Sequence, residues 1–202
     1  ILNIGGISNV TIIDSPTGTY GFTSRDIGPG NCLIDSWVRK NSKQNFDKDG
    51  LLAAKGTRND IIFELAQELF SNRLNQKTLS FDVNDFDVSF ARGLSLEDGV
   101  ATLTDFTASI IGTTLFSLLS NASSKIWKVL VCGGGRKNQF LIDKIKEYIS
   151  KKFIIQPIDD YGINGDFVES QAFAYLAIRS VLKLPISFPN TTGCNQPSIG
   201  GE

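Results

Sequence analysis

The sequence predicts a single α/β domain built on a mixed sheet with helices on both faces, and three observations carry that reading. Three short β-patterned runs with turn chemistry between them open the chain, helical periodicity fills its middle, and a late apolar strand runs straight into three glycines and a helix. At 202 residues with 41% apolar side chains the chain can bury one substantial core, and one domain is the default at this length.

Residues 1–4, 9–13 and 19–23 read as an antiparallel meander, with Gly5-Gly6 and Ser15-Pro16-Thr17-Gly18 as its turns. Leu33, Ile34, Trp37 and Val38 recur at helical spacing over 31–39, directly after Gly28-Pro29-Gly30. A helix therefore starts where a glycine-rich turn ends, and the two face the same space. A polar loop over 46–56 leads to a second helix at 59–70, capped by Asn59, with Ile61, Ile62, Leu65, Ala66 and Leu69 on one apolar face. Residues 71–94, where Asp82, Asp85 and Asp87 interleave with Phe81, Phe86 and Phe90, read as a loop plus a short helix. Over 95–119, Ser95 stands ahead of Glu97 and Asp98, whose charges suit a positive helix end, and Leu103, Phe106, Ile110, Ile111, Leu115 and Leu118 make this the central buried helix.

A strand at 128–132 with an apolar core follows, then an amphipathic helix at 138–150, a short strand at 153–156, an alanine-rich helix at 165–182 and an irregular tail from Pro185. A meander followed by crossover units is the plan of the ribonuclease H-like lobe shared by actin, hexokinase and many sugar kinases, although the same order would suit other α/β folds.

Lys and Arg total 20 against 21 Asp and Glu, so no field of one sign draws the chain to nucleic acid or to an anionic membrane, and a small metabolite is the expected partner. No apolar run reaches the length of a membrane helix. Cys32, Cys132 and Cys194 are odd in number and show no CxxC spacing, which argues against a zinc site or a disulfide framework and fits a reducing cytoplasm. The chain has no histidine, so carboxylates are the natural general bases. It also lacks methionine and opens at Ile1 inside a strand, which reads as a fragment of a longer protein.

Three glycine clusters carry the chemistry. Asn3-Ile4-Gly5-Gly6-Ile7-Ser8-Asn9 interrupts two strands with a pair of residues whose backbone can approach a phosphate closely, or simply makes a hairpin turn. Asp26-Ile27-Gly28-Pro29-Gly30-Asn31 places a carboxylate at the mouth of a glycine turn beside a helix N-terminus, as a base or as a turn and capping aspartate. Val131-Cys132-Gly133-Gly134-Gly135-Arg136-Lys137-Asn138 offers bare backbone to a ring or a ribose, or makes a tight strand-to-helix turn; it matches neither GxGxxG nor a P-loop.

NIGGISNVT, RDIGPGNCLIDSWV, FDKDG, LVCGGGRKN and GINGDFVESQAFAYLA, in that order, resemble the anhydro-N-acetylmuramic acid kinase family over nearly the whole chain. The resemblance implies a fold similar to hexokinases, with two lobes closing over ATP and sugar. It also implies a reaction in which MgATP is used to open the 1,6-anhydro ring by water attack while O6 is phosphorylated, in recycling of bacterial cell-wall amino sugars. By motif, Gly5, Gly6 and Ser8 would face the ATP phosphates. Asp26, in the place of the aspartate of DxGPxN, would activate the water, with Gly28 and Asn31 of the same motif on the substrate side. Gly133, Gly134 and Gly135 would line the adenosine, with Asn138 at the next helix start. Glu169 resembles an acidic position near the sugar and reads equally as a solvated helical glutamate. Asp47 and Asp49 read as surface loop charges. No residue is assigned as a metal ligand, so Mg2+ would arrive with the ATP.

The family's first phosphate loop is absent, so the chain reads as the nucleotide-binding second lobe, inactive alone and partnered by a missing N-terminal lobe; a homodimer is left open. Two other readings remain at this stage, a non-catalytic nucleotide-binding module and an acetate-type or other sugar kinase of the same fold.

Overall fold

The computed structural model describes residues 1–13, 21–74, 80–119 and 126–200. Strands β1 (Leu2–Ile4) and β2 (Ile7–Ile13) form an antiparallel hairpin with Gly5-Gly6 at its tip. Strand β3 (Phe22–Pro29) returns antiparallel to β2 and extends well past the expected strand end at residue 23, so Asp26 to Pro29 are strand rather than turn. Two features permit this. In the sheet order β3-β2-β1-β4-β5 this strand lies at an edge, where proline is tolerated. A bulge then pairs Asp26 with Asn9 and Gly28 with Ser8, leaving Ile27 as the extra residue. The turn expected at Ser15 to Gly18 lies outside the described residues.

Strand β4 (Trp127–Cys132) runs parallel to β1, and β5 (Phe153–Pro157) runs parallel to β4. Four of the five strands therefore point the same way, and their C-terminal ends share one edge of the sheet. The helices are α1 (Cys32–Asn41), α2 (Asp60–Leu74), α3 (Leu96–Leu119), α4 (Gln139–Glu147), α5 (Val168–Val181) and the single turn α6 (Pro189–Thr192).

Helix α3 is the spine. By length and composition it could cross a membrane, yet 72% of its most apolar window is buried inside the fold, the mark of a core helix. On one side Ala108, Ile111, Leu115 and Leu119 pack with α4 against Leu2, Ile4, Val10, Ile27, Val129 and Val131 of the sheet. On the other, Val100, Leu103, Phe106 and Ile110 meet α1 and α2 in a core with several phenylalanines. Helix α2 buries Phe63, Ala66 and Phe70, while Ile61, Leu65 and Leu69, expected on its apolar face, are 78%, 38% and 55% exposed. The Phe63-Ala66-Phe70 stripe wins because Phe70 meets Phe106 at 5.6 Å and Phe86 at 5.4 Å in tilted contacts and Phe63 meets Phe106 edge-on at 6.3 Å, burying aromatic area.

Of the cover expected on both faces, the packed helical core lies on the α3 face. Asn3, Asn9 and Asp26 align across β1, β2 and β3 on the face away from α3, and Thr11 shares a 3.0 Å hydroxyl contact there with Ser24. The same face also carries Ile13, Phe22, Leu130 and Ile154, so it is mixed in character. Helix α6 reaches it at the start of β3, where Phe188 meets Phe22 at 5.9 Å, and α5 has no buried residue.

The helix starts follow their caps: Asn59 accepts from the Ile62 N–H at 3.0 Å and Ser95 from the Asp98 N–H at 3.0 Å. The 46–56 stretch contains two short 3-10 turns rather than a plain loop. Asp47, expected as a surface charge, is 5% exposed and accepts from the N–H groups of Leu52 (2.7 Å) and Ala53 (3.1 Å), which is what folds the stretch.

Asp105 of α3 ties three helices together: its carboxylate accepts from Tyr148 Oη at 2.8 Å and from Arg58 Nη1 at 3.1 Å. Burial and that carboxylate both push the Tyr148 phenol up, so it stays a donor. Replacing Asp105 by Ala is expected to cost about 2 kcal/mol of unfolding free energy, the scale of hydrogen bonds to a charged group when one partner keeps water contact. Urea unfolding checks it; a change below about 0.5 kcal/mol would remove Asp105 from the account.

Candidate functional site

The C-terminal edge of the sheet gathers all three glycine clusters. The tip of the β1–β2 hairpin docks on the start of α1: the Gly5 carbonyl accepts from the Asn31 N–H (2.8 Å), and the Gly6 carbonyl from those of Gly30 (2.9 Å) and Cys32 (3.1 Å). The Asn31 side chain does not cap its helix but donates back to the carbonyls of Ile4 (3.3 Å) and Gly5 (3.0 Å). A Cβ at position 30 would lie 2.4 Å from the Gly5 oxygen, so this approach requires glycine. The donors at the very start of α1, expected to face a ligand, are thus committed to the hairpin.

Ser8 serves the same joint. It is fully buried, and its hydroxyl donates to the Pro29 carbonyl at 2.8 Å and lies 3.2 Å from that of Gly28. Its side chain faces the β3 end rather than open space.

Asp26 is half-buried within β3, on the polar face and across from Asn9. The bulge that sinks Ile27 into the core holds the carboxylate on the opposite face, close to the hairpin tip. Its Oδ2 accepts from the Phe81 N–H at 2.8 Å.

The third cluster turns from β4 toward α4 against β1. Gly133 has a φ of 78°, and a Cβ there would lie 2.4 Å from Asn3 Oδ1, while one at Gly135 would strike Ile4. Both are glycines of close packing. Gly134 is different: a Cβ there would meet nothing nearer than Asn31 Nδ2 at 3.9 Å, so its bare backbone faces open space. Arg136 pins the turn from behind. Its guanidinium donates to Asp159 (2.8 Å), Asp166 (2.8 Å) and the Gly133 carbonyl (3.0 Å). Those bonds hold the Asp159 carboxyl at about 2 and Asp166 lower still, and they bind the guanidinium proton more tightly than usual. Asn138 caps α4 by accepting from the Leu141 N–H at 3.0 Å.

A cleft of about 380 Å³ opens beside Gly134 and Asn31, walled also by Ile34, Asp35, Phe46, Lys48, Lys137 and Asn138. Its size suits a small organic ligand. Asp35, one helical turn beyond Asn31, lines it with no hydrogen bond to its carboxylate among the described residues. Burial pushes that carboxyl up to about 6, with Arg39 pulling it down and Asp47 adding to the rise. Cys32, at the first position of α1, is pushed up to about 11 by burial, which makes it a poor nucleophile. Among the described residues no group of three or more acidic, cysteine or histidine side chains could hold a metal ion.

The structure therefore brings together Gly5, Gly6, Gly28, Asn31, Gly134 and Asn138, with Asp26 two residues upstream of Gly28 in β3. Glu169 is exposed in the first turn of α5. Sequence reasoning missed Asp35, Arg136 and Phe81. The first two had a signal, as Asp35 stands four residues after Asn31 on one helix face and Arg136 follows the three glycines; the backbone N–H of Phe81, 55 residues from Asp26, had none.

A family model described as "Anhydro-N-acetylmuramic acid kinase" matches residues 1–202. Curated proteins of that name are similar to the chain over its whole length: one from Pelagibacter ubique (strain HTCC1062) at 49% identity, covering 53% of that protein, one from Zymomonas mobilis subsp. mobilis at 39% and 53%, and one from Methylorubrum populi at 39% and 51%. The chain spans about half the length of the curated relatives it matches.

Asp35 yields a pH test. Its folded-state carboxyl sits at about 6 against an ordinary 3.8, so the folded state holds the proton more tightly. Stability from this group is full below pH 3.8 and falls as pH rises through 6. Asp35→Asn is expected to unfold at higher denaturant than the parent at pH 8 and at the same denaturant near pH 4, where Asp35 is already protonated in the folded state. An equal difference at both pH values would show that Asp35 carries no such burden.

Proposed function

Because the chain belongs to the anhydro-N-acetylmuramic acid kinase family, we propose that it forms the nucleotide-binding lobe of a two-lobed, ATP-dependent kinase that opens the 1,6-anhydro ring of anhydro-N-acetylmuramic acid and phosphorylates O6. The observation that carries this reading is the meeting, at one sheet edge, of a half-buried carboxylate, a glycine hairpin tip and a glycine turn beside a cleft. Ligands of open α/β sheets bind outside the carboxyl ends of the strands. The strand order β3-β2-β1-β4-β5, antiparallel for three strands and parallel thereafter, supports the ribonuclease H-like assignment.

In this reading the nucleoside occupies the cleft against Gly134 and Asn138, and its phosphates extend past Asn31 toward Gly5 and Gly6. Asp26 accepts a proton from the water that adds to the anomeric carbon. As that C–O bond forms, the bond from the anomeric carbon to O6 breaks, and O6 takes the terminal phosphoryl group with ADP leaving. No histidine competes with Asp26 for the proton. Phosphoryl transfer rests on positioning and charge neutralisation, so half of a two-lobed clamp would not turn over alone. Mg2+ commonly binds through substrate phosphates and waters with one or two carboxylates, and no residue here is assigned to it. The apolar side of α5, where Phe173, Tyr175, Ile178 and Val181 are 59–81% exposed, supports a second body packing on this chain. A cytoplasmic setting, where ATP is available, accompanies the proposal.

Asp26→Asn in the full-length protein that contains this chain is expected to lower kcat by several orders of magnitude while ATP affinity changes little. A variant with parental kcat would point instead to a module that binds nucleotide without using this carboxylate.

A further inference from the structure

We propose that the turn from Phe81 to Phe86 is a positioning element for the Asp26 carboxylate, aiming the base through the Phe81 backbone N–H. The inference rests on the reading of Asp26 as the base and adds what holds it.

The segment 71–94 has no role in the reading above, yet it reaches the site. Phe81 N–H donates to Asp26 Oδ2 at 2.8 Å. Oδ1 receives no hydrogen bond among the described residues, and Asp26 as a whole is half-buried. A backbone donor on one oxygen limits how the carboxylate can turn.

The direction of the Phe81 N–H is itself set by local chemistry. Asp82 caps the short 3-10 turn at Val83–Asp85, accepting from the Asn84 N–H at 2.9 Å, and Asp85 reaches back to accept from the Asp82 N–H at 2.8 Å. This is a reciprocal capping box. Phe81 precedes the cap and Phe86 follows the turn, and their rings meet at 5.7 Å, a hydrophobic staple that fixes how the chain enters the turn. Phe86 is 8% exposed and packs on Phe70, which packs on Phe106 of α3. The carboxylate is thus tied to the central helix through one amide and a line of aromatic rings.

The same turn lies over the hairpin tip, since a Cβ added at Gly6 would come within 3.2 Å of Val83 Cγ1. One element therefore touches both the carboxylate and the Gly5-Gly6 backbone. Misplacing a reacting group by about 1 Å can cost on the order of a hundredfold in rate.

The test uses steady-state kinetics of the full-length enzyme and amide spectra of the 202-residue chain. Asp82→Ala removes the cap of an exposed turn and is expected to lower kcat about ten- to a hundredfold, with KM for ATP within about twofold. Asp82→Asn keeps the accepting oxygen and should restore the rate. In the Asp26→Asn background, Asp82→Ala should cost nothing further, because no base remains to be aimed. In the chain alone, Asp26→Ala should shift the Phe81 amide resonance and leave that of Phe86 in place. Parental kcat in Asp82→Ala, a loss that Asp82→Asn does not rescue, a full further loss on Asp26→Asn, or an unmoved Phe81 amide would each overturn the proposal. If Asp26→Asn itself keeps parental kcat, the base assignment fails and positioning falls with it; if Asp26→Asn is inactive and Asp82→Ala unimpaired, positioning alone fails.

Discussion

The joint between the Gly5-Gly6 hairpin tip and the first residues of α1 is the constraint on which the candidate site depends. Three backbone N–H groups and one side-chain amide converge on the carbonyls of Ile4, Gly5 and Gly6. The start of a helix usually waits for a cap, water or an anion; here the chain supplies its own carbonyls. The same contact fixes the β3 end that carries Asp26 and the wall of the cleft beside Gly134, so the spacing of the three glycine clusters is one geometric fact rather than three.

Around that joint the molecule spends stability unevenly. Arg136 is saturated with acceptors and holds the third turn rigidly to the 159–166 segment. Asp35 stands in the cleft wall with no hydrogen bond to its carboxylate among the described residues and with its carboxyl pushed up by burial. A titratable group shifted by burial beside a pinned turn is the pattern expected where a ligand completes the wall, because such groups gather at functional sites.

The sequence made the order of elements legible because hydrophobic period and glycine punctuation are local. The central helix, the apolar strand ahead of the three glycines and the Asn59 cap all follow from neighbours within a turn or two. What escaped was set by distant contacts. The extension of β3 to Pro29 depends on its place at the sheet edge and on a bulge against Ser8 and Asn9. The choice of Phe63, Ala66 and Phe70 as the inner stripe of α2 depends on rings from α3 and the Phe86 turn. At the site, the glycine clusters were visible as composition, but which glycine is open and which merely packs tightly required the neighbouring strand; Asp47 likewise changed from surface charge to buried acceptor only when Leu52 and Ala53 turned toward it.

The central claim is that one nucleotide spans the cleft and the hairpin tip. An ATP titration of the isotopically labelled chain followed by amide spectra addresses it directly, residue by residue. The account predicts that the shifted resonances cluster at 5–8, 28–35 and 133–138, with the opposite end of the sheet unmoved. Shifts confined to the other end of the sheet, around Thr11 to Ile13 and Tyr161, or none at millimolar ATP, would contradict it.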